Sequence, residues 1–263
     1  MVKALLFKLD DVLSSEIRLE EGLYHQVARK LSRRPGGPSR RALLLPLLAY
    51  QEEGLESRAW SLLFHDVAAL RQTIRYTDLL QLVKKTLPVG VPFQGIPELA
   101  HALDEQGVRT AVMAGPYCPH QRNKVKALRL DCLFGPIVYT DFFTRNPRRA
   151  VYQAIEKLAA QWKDLAPRDI AYIADNPAVD FPAARLAGLH TLRLRLHKTR
   201  HEFDEPRSAK ERPEREFTSV HELIGALCRY FHIEPRQVLP GEWDYYLKPR
   251  PWRLMNLRRN LPC

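Results

Sequence analysis

The stretch Ala4-Leu5-Leu6-Phe7-Lys8-Leu9-Asp10-Asp11-Val12-Leu13 is an apolar strand that runs straight into two carboxylates, with a lysine two places before the first of them. Short apolar runs rich in branched or aromatic residues read as strands buried on both faces. Val2 to Leu9 is the first such run, followed by Thr110 to Met113, Ile137 to Thr140 and Ile170 to Ala174; a fifth, Thr191 to Leu196, alternates. Helical periods lie between them: Ile96 to Glu105, Gln121 to Leu128, Ala150 to Gln161 and Ala178 to Ala187, the last closed by Gly188. Strands alternating with helices predict an α/β fold, a Rossmann-like parallel sheet with helices on both faces.

Residues 14 to 88 break this rhythm, holding only helical patterns: Glu16 to Leu31, Arg41 to Glu52, Ser57 to Leu70 and Thr77 to Leu87. They read as an all-helical cap inserted after the first strand, with Arg33-Arg34-Pro35-Gly36-Gly37-Pro38 as the loop between its first two helices. The expected organisation is a core of residues 1–13 and 89–231, a cap of 14–88 and a basic, aromatic extension of 232–263. His197 to Glu216, dense in charge and holding Pro206 and Pro213, reads as an exposed loop. Ser219 and Glu222 then have capping-box spacing ahead of a last core helix.

Hydrophobic content of 45% with 27% charged residues places the 263-residue chain among globular proteins and excludes disorder of the whole. Cys118, Cys132, Cys228 and Cys263 form no C-x-x-C pair, so neither a zinc knuckle nor a disulfide framework is expected. No run reaches the roughly 18 apolar residues of a membrane span. A reducing, cytoplasmic setting fits. A net charge of +11 would attract phosphates, nucleic acid or an anionic membrane.

Ligands of open parallel sheets bind at the carboxyl ends of the strands. Those ends carry Asp10-Asp11 after the first strand, Ala114-Gly115 after the second, and Asp175-Asn176-Pro177-Ala178-Val179-Asp180 after the fourth. Converging carboxylates repel unless a cation sits among them, and oxygen-only ligands suit Mg²⁺. The competing reading has Asp10 and Asp175 capping the helices that follow.

Across about residues 2 to 231 the sequence resembles the haloacid dehalogenase superfamily, in its phosphatase-like branch with a helical cap after the first strand. Phe7-Lys8-Leu9-Asp10-Asp11-Val12-Leu13 is similar to the family's first motif, Phe-Asp-x-Asp-x-Thr-Leu; Gly107 to Gly115 to its second-motif strand; Asp175 to Asp180 to the GDxxxxD form of its fourth. The resemblance implies a Mg²⁺-dependent phosphoryl-transfer site. Asp10 would be its general acid/base, Asp10, Asp175 and Asp180 its metal ligands, and Met113, Ala114, Gly115 and Asn146 the positions that meet phosphate.

The departures fall on the chemistry. Lys8 stands where the family's nucleophilic aspartate would be, and a protonated ammonium is no nucleophile and repels Mg²⁺. Met113 replaces the second-motif Ser or Thr and has no hydroxyl to donate. Asn146-Pro147 aligns with the third-motif lysine and loses its charge. Ala174 replaces a glycine. Lys8 should face Asp175, so its ammonium could neutralise the carboxylates in place of Mg²⁺. The expected function is that of a hydrolase-like protein with a degenerate phosphatase site that binds a phosphorylated ligand or a protein partner. Two alternatives stand beside it: an active Mg²⁺-dependent phosphomonoesterase, and a nucleic-acid- or membrane-associated accessory protein.

Other residues carry weaker signals. Neighbouring carboxylates would raise the Lys8 pKa, against a Schiff-base role. His25, His65, His101, His120 and His190 have no recurring ligand spacing. Cys118 has only His120 nearby in sequence as a basic partner. The tail from Ile233 to Cys263 interleaves aromatic residues with six basic residues against three acids, a pattern that stacks on bases, lies on membranes or packs back onto the core.

Overall fold

The computed structural model of the chain describes residues 1–141, 143–144 and 146–239. Six strands, β1 (Ala4–Lys8), β2 (Arg109–Pro116), β3 (Ile137–Thr140), β4 (Ile170–Ala174), β5 (His190–Leu194) and β6 (Arg215–Phe217), form one parallel sheet in the order β3-β2-β1-β4-β5-β6. The chain places β2 and β3 on one side of β1, then crosses to place β4, β5 and β6 on the other. Strand order therefore reverses at β1, which puts the ligand crevice of such a sheet at the ends of β1 and β4.

The strand pleat sends successive side chains to opposite faces. Leu5 and Phe7 of β1 enter one apolar layer with Val112, Ile173 and Leu194, covered by α6 (Ile96–Glu105), α7 (Pro119–Ala127), α8 (Leu130–Leu133), α11 (Val220–Tyr230) and α12 (Pro235–Val238). Ala4 and Leu6 enter the other with Met113, Tyr172 and Ala174, beneath α9 (Pro147–Gln161) and α10 (Asp180–Leu186). Lys8 continues the Ala4-Leu6 alternation, so its side chain leaves the strand on the face that α10 covers.

Residues between β1 and α6 fold as α1 (Glu16–Ser32), α2 (Arg40–Glu52), α3 (Ala59–Asp66), α4 (Ala68–Thr73) and α5 (Tyr76–Lys85). Leu23, Val27 and Leu31 of α1 form a stripe that packs on Leu43 and Leu47 of α2, Leu63 of α3, Leu70 of α4 and Leu79 of α5. This is a third hydrophobic core, separate from the two that sandwich the sheet. The Leu43–Leu48 run divides as a helix must, with Leu43 and Leu47 buried and Leu45 exposed. Gly22 is where α1 crosses the returning linker: a Cβ there would stand 1.9 Å from the Val89 carbonyl oxygen.

Three elements differ from the sequence reading. The helix expected from Ser57 to Leu70 is a 3-10 turn followed by α3 and α4, because the β-branched Val67 takes an extended conformation between them. His197 to Glu216 is no free loop: its last two residues begin β6, and Glu211 is buried. The extension expected from residue 232 begins by packing onto the core, where Ile233, Val238 and Leu239 are buried. Residues 240–263, which carry the aromatic and basic motif, lie outside the described residues.

Among the described residues Cys118, Cys132 and Cys228 are free thiols, and no helix is long and apolar enough to cross a membrane.

Candidate active site

The Lys8 ammonium stands 2.6 Å from Asp175 Oδ1 and donates to Asp180 Oδ2 at 3.0 Å. Both carboxylates are almost fully buried. The Tyr172 hydroxyl donates to Asp180 Oδ1 at 3.1 Å, and the Asn176 N–H donates to Oδ2 at 3.2 Å. Burial alone would push the lysine towards its neutral form, but the charges of Asp175 and Asp180 overcome it and raise its pKa. Burial also raises Asp180, and Asp175 adds to the rise because one ammonium serves two acids.

Asp10 turns away to a second lysine. Lys124 of α7 is fully buried and donates to Asp10 Oδ1 at 2.8 Å, while Gln121, one turn earlier, donates to Oδ2 at 3.1 Å. Lys124 also donates to Glu16 of α1 at 3.4 Å and stands 3.9 Å from Glu20. Burial would raise Asp10, and the Lys124 charge reverses this and holds it below the ordinary carboxylate range. Burial would lower Lys124; Asp10, Glu16 and Glu20 raise it instead. His120 pairs with Glu20 at 2.8 Å, so it is no partner for Cys118.

A third basic residue completes this join between core and cap. Arg193 of β5 is fully buried; it donates to the carbonyls of Asp175, His201 and Asp204 and pairs with Glu216 of β6 at 3.0 Å. The loop it pins carries Arg200, which meets Glu16 at 3.0 Å and Glu56 at 3.4 Å. Glu16, Glu20 and Glu56 of the cap thus face Lys124, His120 and Arg200 of the core.

The capping roles fall on neighbours of the suspected site residues. Asp11, held at φ 59°, accepts from the Glu16 N–H with its side chain, and Ser15 caps α1. Asn176 accepts from the N–H groups of Ala178 and Val179. Asp10 and Asp175 are thereby left to the lysines. Of the phosphate positions, Met113 is buried, its sulfur 3.4 Å from the Tyr172 hydroxyl oxygen whose proton goes to Asp180. Ala114 is buried in the core, and Gly115 lies against Gln121, whose Nε2 a Cβ would approach to 2.9 Å. Asn146 caps α9, its side chain accepting from the Arg149 N–H at 3.3 Å. As a cap it leaves no lysine charge at that position.

The residues present do not fit the Mg²⁺ that the topology implies. An ammonium already holds Asp175 and Asp180, and a lysine and an amide hold Asp10. Among the described residues no three side chains of His, Cys, Asp or Glu are grouped to hold a metal. Lys8 places an ammonium and Met113 a thioether where the resembled motifs carry a carboxylate and a hydroxyl, and the arrangement neutralises charge and joins segments.

Lys124 and Arg193 are the residues that sequence reading passed over. Lys124 follows Gln121 by three residues and precedes Leu128 by four, so it shares the inward face of α7, and Arg193 sits at an inward position of an alternating strand. In both cases the signal was a charge where the period required an apolar residue.

A sequence model of the haloacid dehalogenase-like hydrolase family matches residues 66–194, from the end of α3 through β5, without the β1 motif. No curated protein matches the chain in sequence. Among solved structures it is similar to a predicted β-phosphoglucomutase from Thermotoga maritima, 16% identical, covering 87% of this chain and 99% of that one with a TM-score of 0.56. A HAD-hydrolase, YfnB, from Bacillus subtilis bound to magnesium is 15% identical, with 86% and 98% covered and a TM-score of 0.54. A predicted phosphoglycolate phosphatase from Haemophilus somnus is 18% identical, with 86% and 98% covered and a TM-score of 0.51. Identities this low speak for the fold alone: the fold is that of the haloacid dehalogenase superfamily, and over residues 66–194, just under half of the chain, the sequence matches that family's model.

Proposed function

We propose that this chain keeps the haloacid dehalogenase fold without its phosphoryl-transfer reaction, and acts by binding a ligand or a partner. The observation that carries this reading is the Lys8 ammonium between Asp175 and Asp180, at 2.6 and 3.0 Å. It occupies the position of the attacking carboxylate and supplies the positive charge that a divalent cation would bring. The ionic join between α1 and the core supports the same reading, because the carboxylate that would act as general acid/base is engaged by Lys124 and Gln121. A covalent aspartyl intermediate is what makes phosphomonoester hydrolysis manageable in two steps, and the side chain at that position of β1 is an ammonium that cannot form one.

The test is hydrolysis of an aryl phosphate with Mg²⁺, comparing wild type, Asp10→Asn and Lys8→Asp. The expected result is no turnover above background in the first two. Turnover in wild type that Asp10→Asn abolishes would instead establish an active hydrolase.

A further inference from the structure

The first two turns of α9 and the body of α10 line a cavity of about 480 Å³. Arg148, Arg149, Arg185 and Lys210 ring it, and Tyr152 and the exposed Leu186 contribute an aromatic face and an apolar floor. No carboxylate lines it among the described residues. Arg148 is engaged by the Ala178 carbonyl and by Glu211, which is buried and also accepts from the Arg207 N–H. Arg185 donates to the Arg212 carbonyl, which fixes its guanidinium without neutralising it. Arg149 and Lys210 are exposed and enter no ion pair among the described residues.

We infer that this groove is a binding site for a nucleoside phosphate, free or as one nucleotide of a single strand of RNA. Glu211 neutralises Arg148, which leaves the Arg149 and Arg185 guanidiniums, whose planar forks match phosphate oxygens, and the Lys210 ammonium. The aromatic and apolar faces between them suit a base, since stacking on such faces needs no particular sequence. The site is concave, which a planar anionic bilayer does not fill, and the chain's net charge of +11 brings polyanions to it. The groove shares no residue with the Lys8 and Lys124 clusters, and of the positions expected to meet phosphate only Asn146, the cap of α9, lines it.

The experiment uses the full chain and a fluorescein-labelled oligouridylate of about ten nucleotides, read by fluorescence anisotropy over a salt series. The double variant Arg149→Glu/Lys210→Glu is compared with Arg33→Glu/Arg34→Glu, which makes the same charge change on an exposed loop of the cap. Circular dichroism melts confirm that both fold; a glutamate in the first turn of α9 favours that helix. The groove variant should lose about tenfold or more in affinity and flatten the salt dependence by about 0.7 for each phosphate contact removed, while the cap variant stays within about twofold of wild type. Displacement of the probe by uridine monophosphate assigns the free nucleotide as ligand, and its failure to displace assigns the strand. The inference is overturned if wild type does not bind, if the groove variant binds like wild type, if both variants lose affinity equally, or if the groove variant loses binding only to phosphatidylserine vesicles.

Discussion

Two lysines hold carboxylates in this protein, and they join different things. Lys8 lies within the core, tying the end of β1 to the loop after β4 and the start of α10 through Asp175 and Asp180. Lys124 lies between core and cap, tying α7 to the end of β1 and to α1 through Asp10, Glu16 and Glu20. The first neutralises a crevice that the fold creates wherever parallel strands end together. The second fastens an inserted domain over that crevice. The two tasks are thus done by separate ammonium groups, each with its own set of carboxylates.

The largest effect should come from breaking the first. Lys8→Met leaves Asp175 and Asp180 buried without a counter-charge, and removal of one member of a buried pair costs about 3–5 kcal/mol. Urea unfolding measures this. A loss under about 1 kcal/mol would mean that solvent or a bound cation neutralises the pair without the lysine.

Lys124→Met should cost less, about 2–3 kcal/mol, because Asp10 keeps Gln121 and the cap glutamates keep Arg200 and His120. Its signature is local. Amide exchange should rise in α1 while β1 stays protected; equal loosening of both would merge the two clusters into one.

These expectations rest on features that sequence reading reached unevenly. Ile137–Thr140, Ile170–Ala174 and Ile96–Glu105 have the bounds expected of them, because a buried strand or an amphipathic helix writes its period into apolar residues. The pairing of Lys8 with Asp175 was legible for the same reason: the strand fixes the face, and the topology brings β4 beside β1. Lys124 was not legible, since its partners lie more than a hundred positions earlier and only the docking of the cap brings Glu16 and Glu20 to it. β6 escaped because three residues, Arg215–Phe217, show no period, and the buried Arg193 that organises the preceding loop looks in sequence like any charged residue of a half-exposed strand.

pH offers a smaller and more discriminating comparison. Lys8 and Lys124 have raised pKa values, so their contributions are whole below the ordinary lysine value of about 10.4 and are lost as pH rises through the folded values. Asp10 and Glu20 are lowered by Lys124 and by His120, so theirs are present above the ordinary carboxylate values of about 4 and are lost as pH falls through the folded ones. Asp180 and Glu16, raised chiefly by burial, carry the opposite sign, and their protonation favours the fold. Of the two lysine clusters, only the join to the cap contains carboxylates whose pKa is resolved as lowered. Acidification should therefore release α1 before β1 in pulsed hydrogen exchange, and the reverse order would break the assignment.

The central claim is that an ammonium has taken the place of a metal. Titration of MgCl₂ into the wild-type protein, followed by calorimetry, tests it most directly. The account predicts no binding heat beyond dilution at millimolar Mg²⁺; a saturating isotherm with micromolar affinity would contradict it.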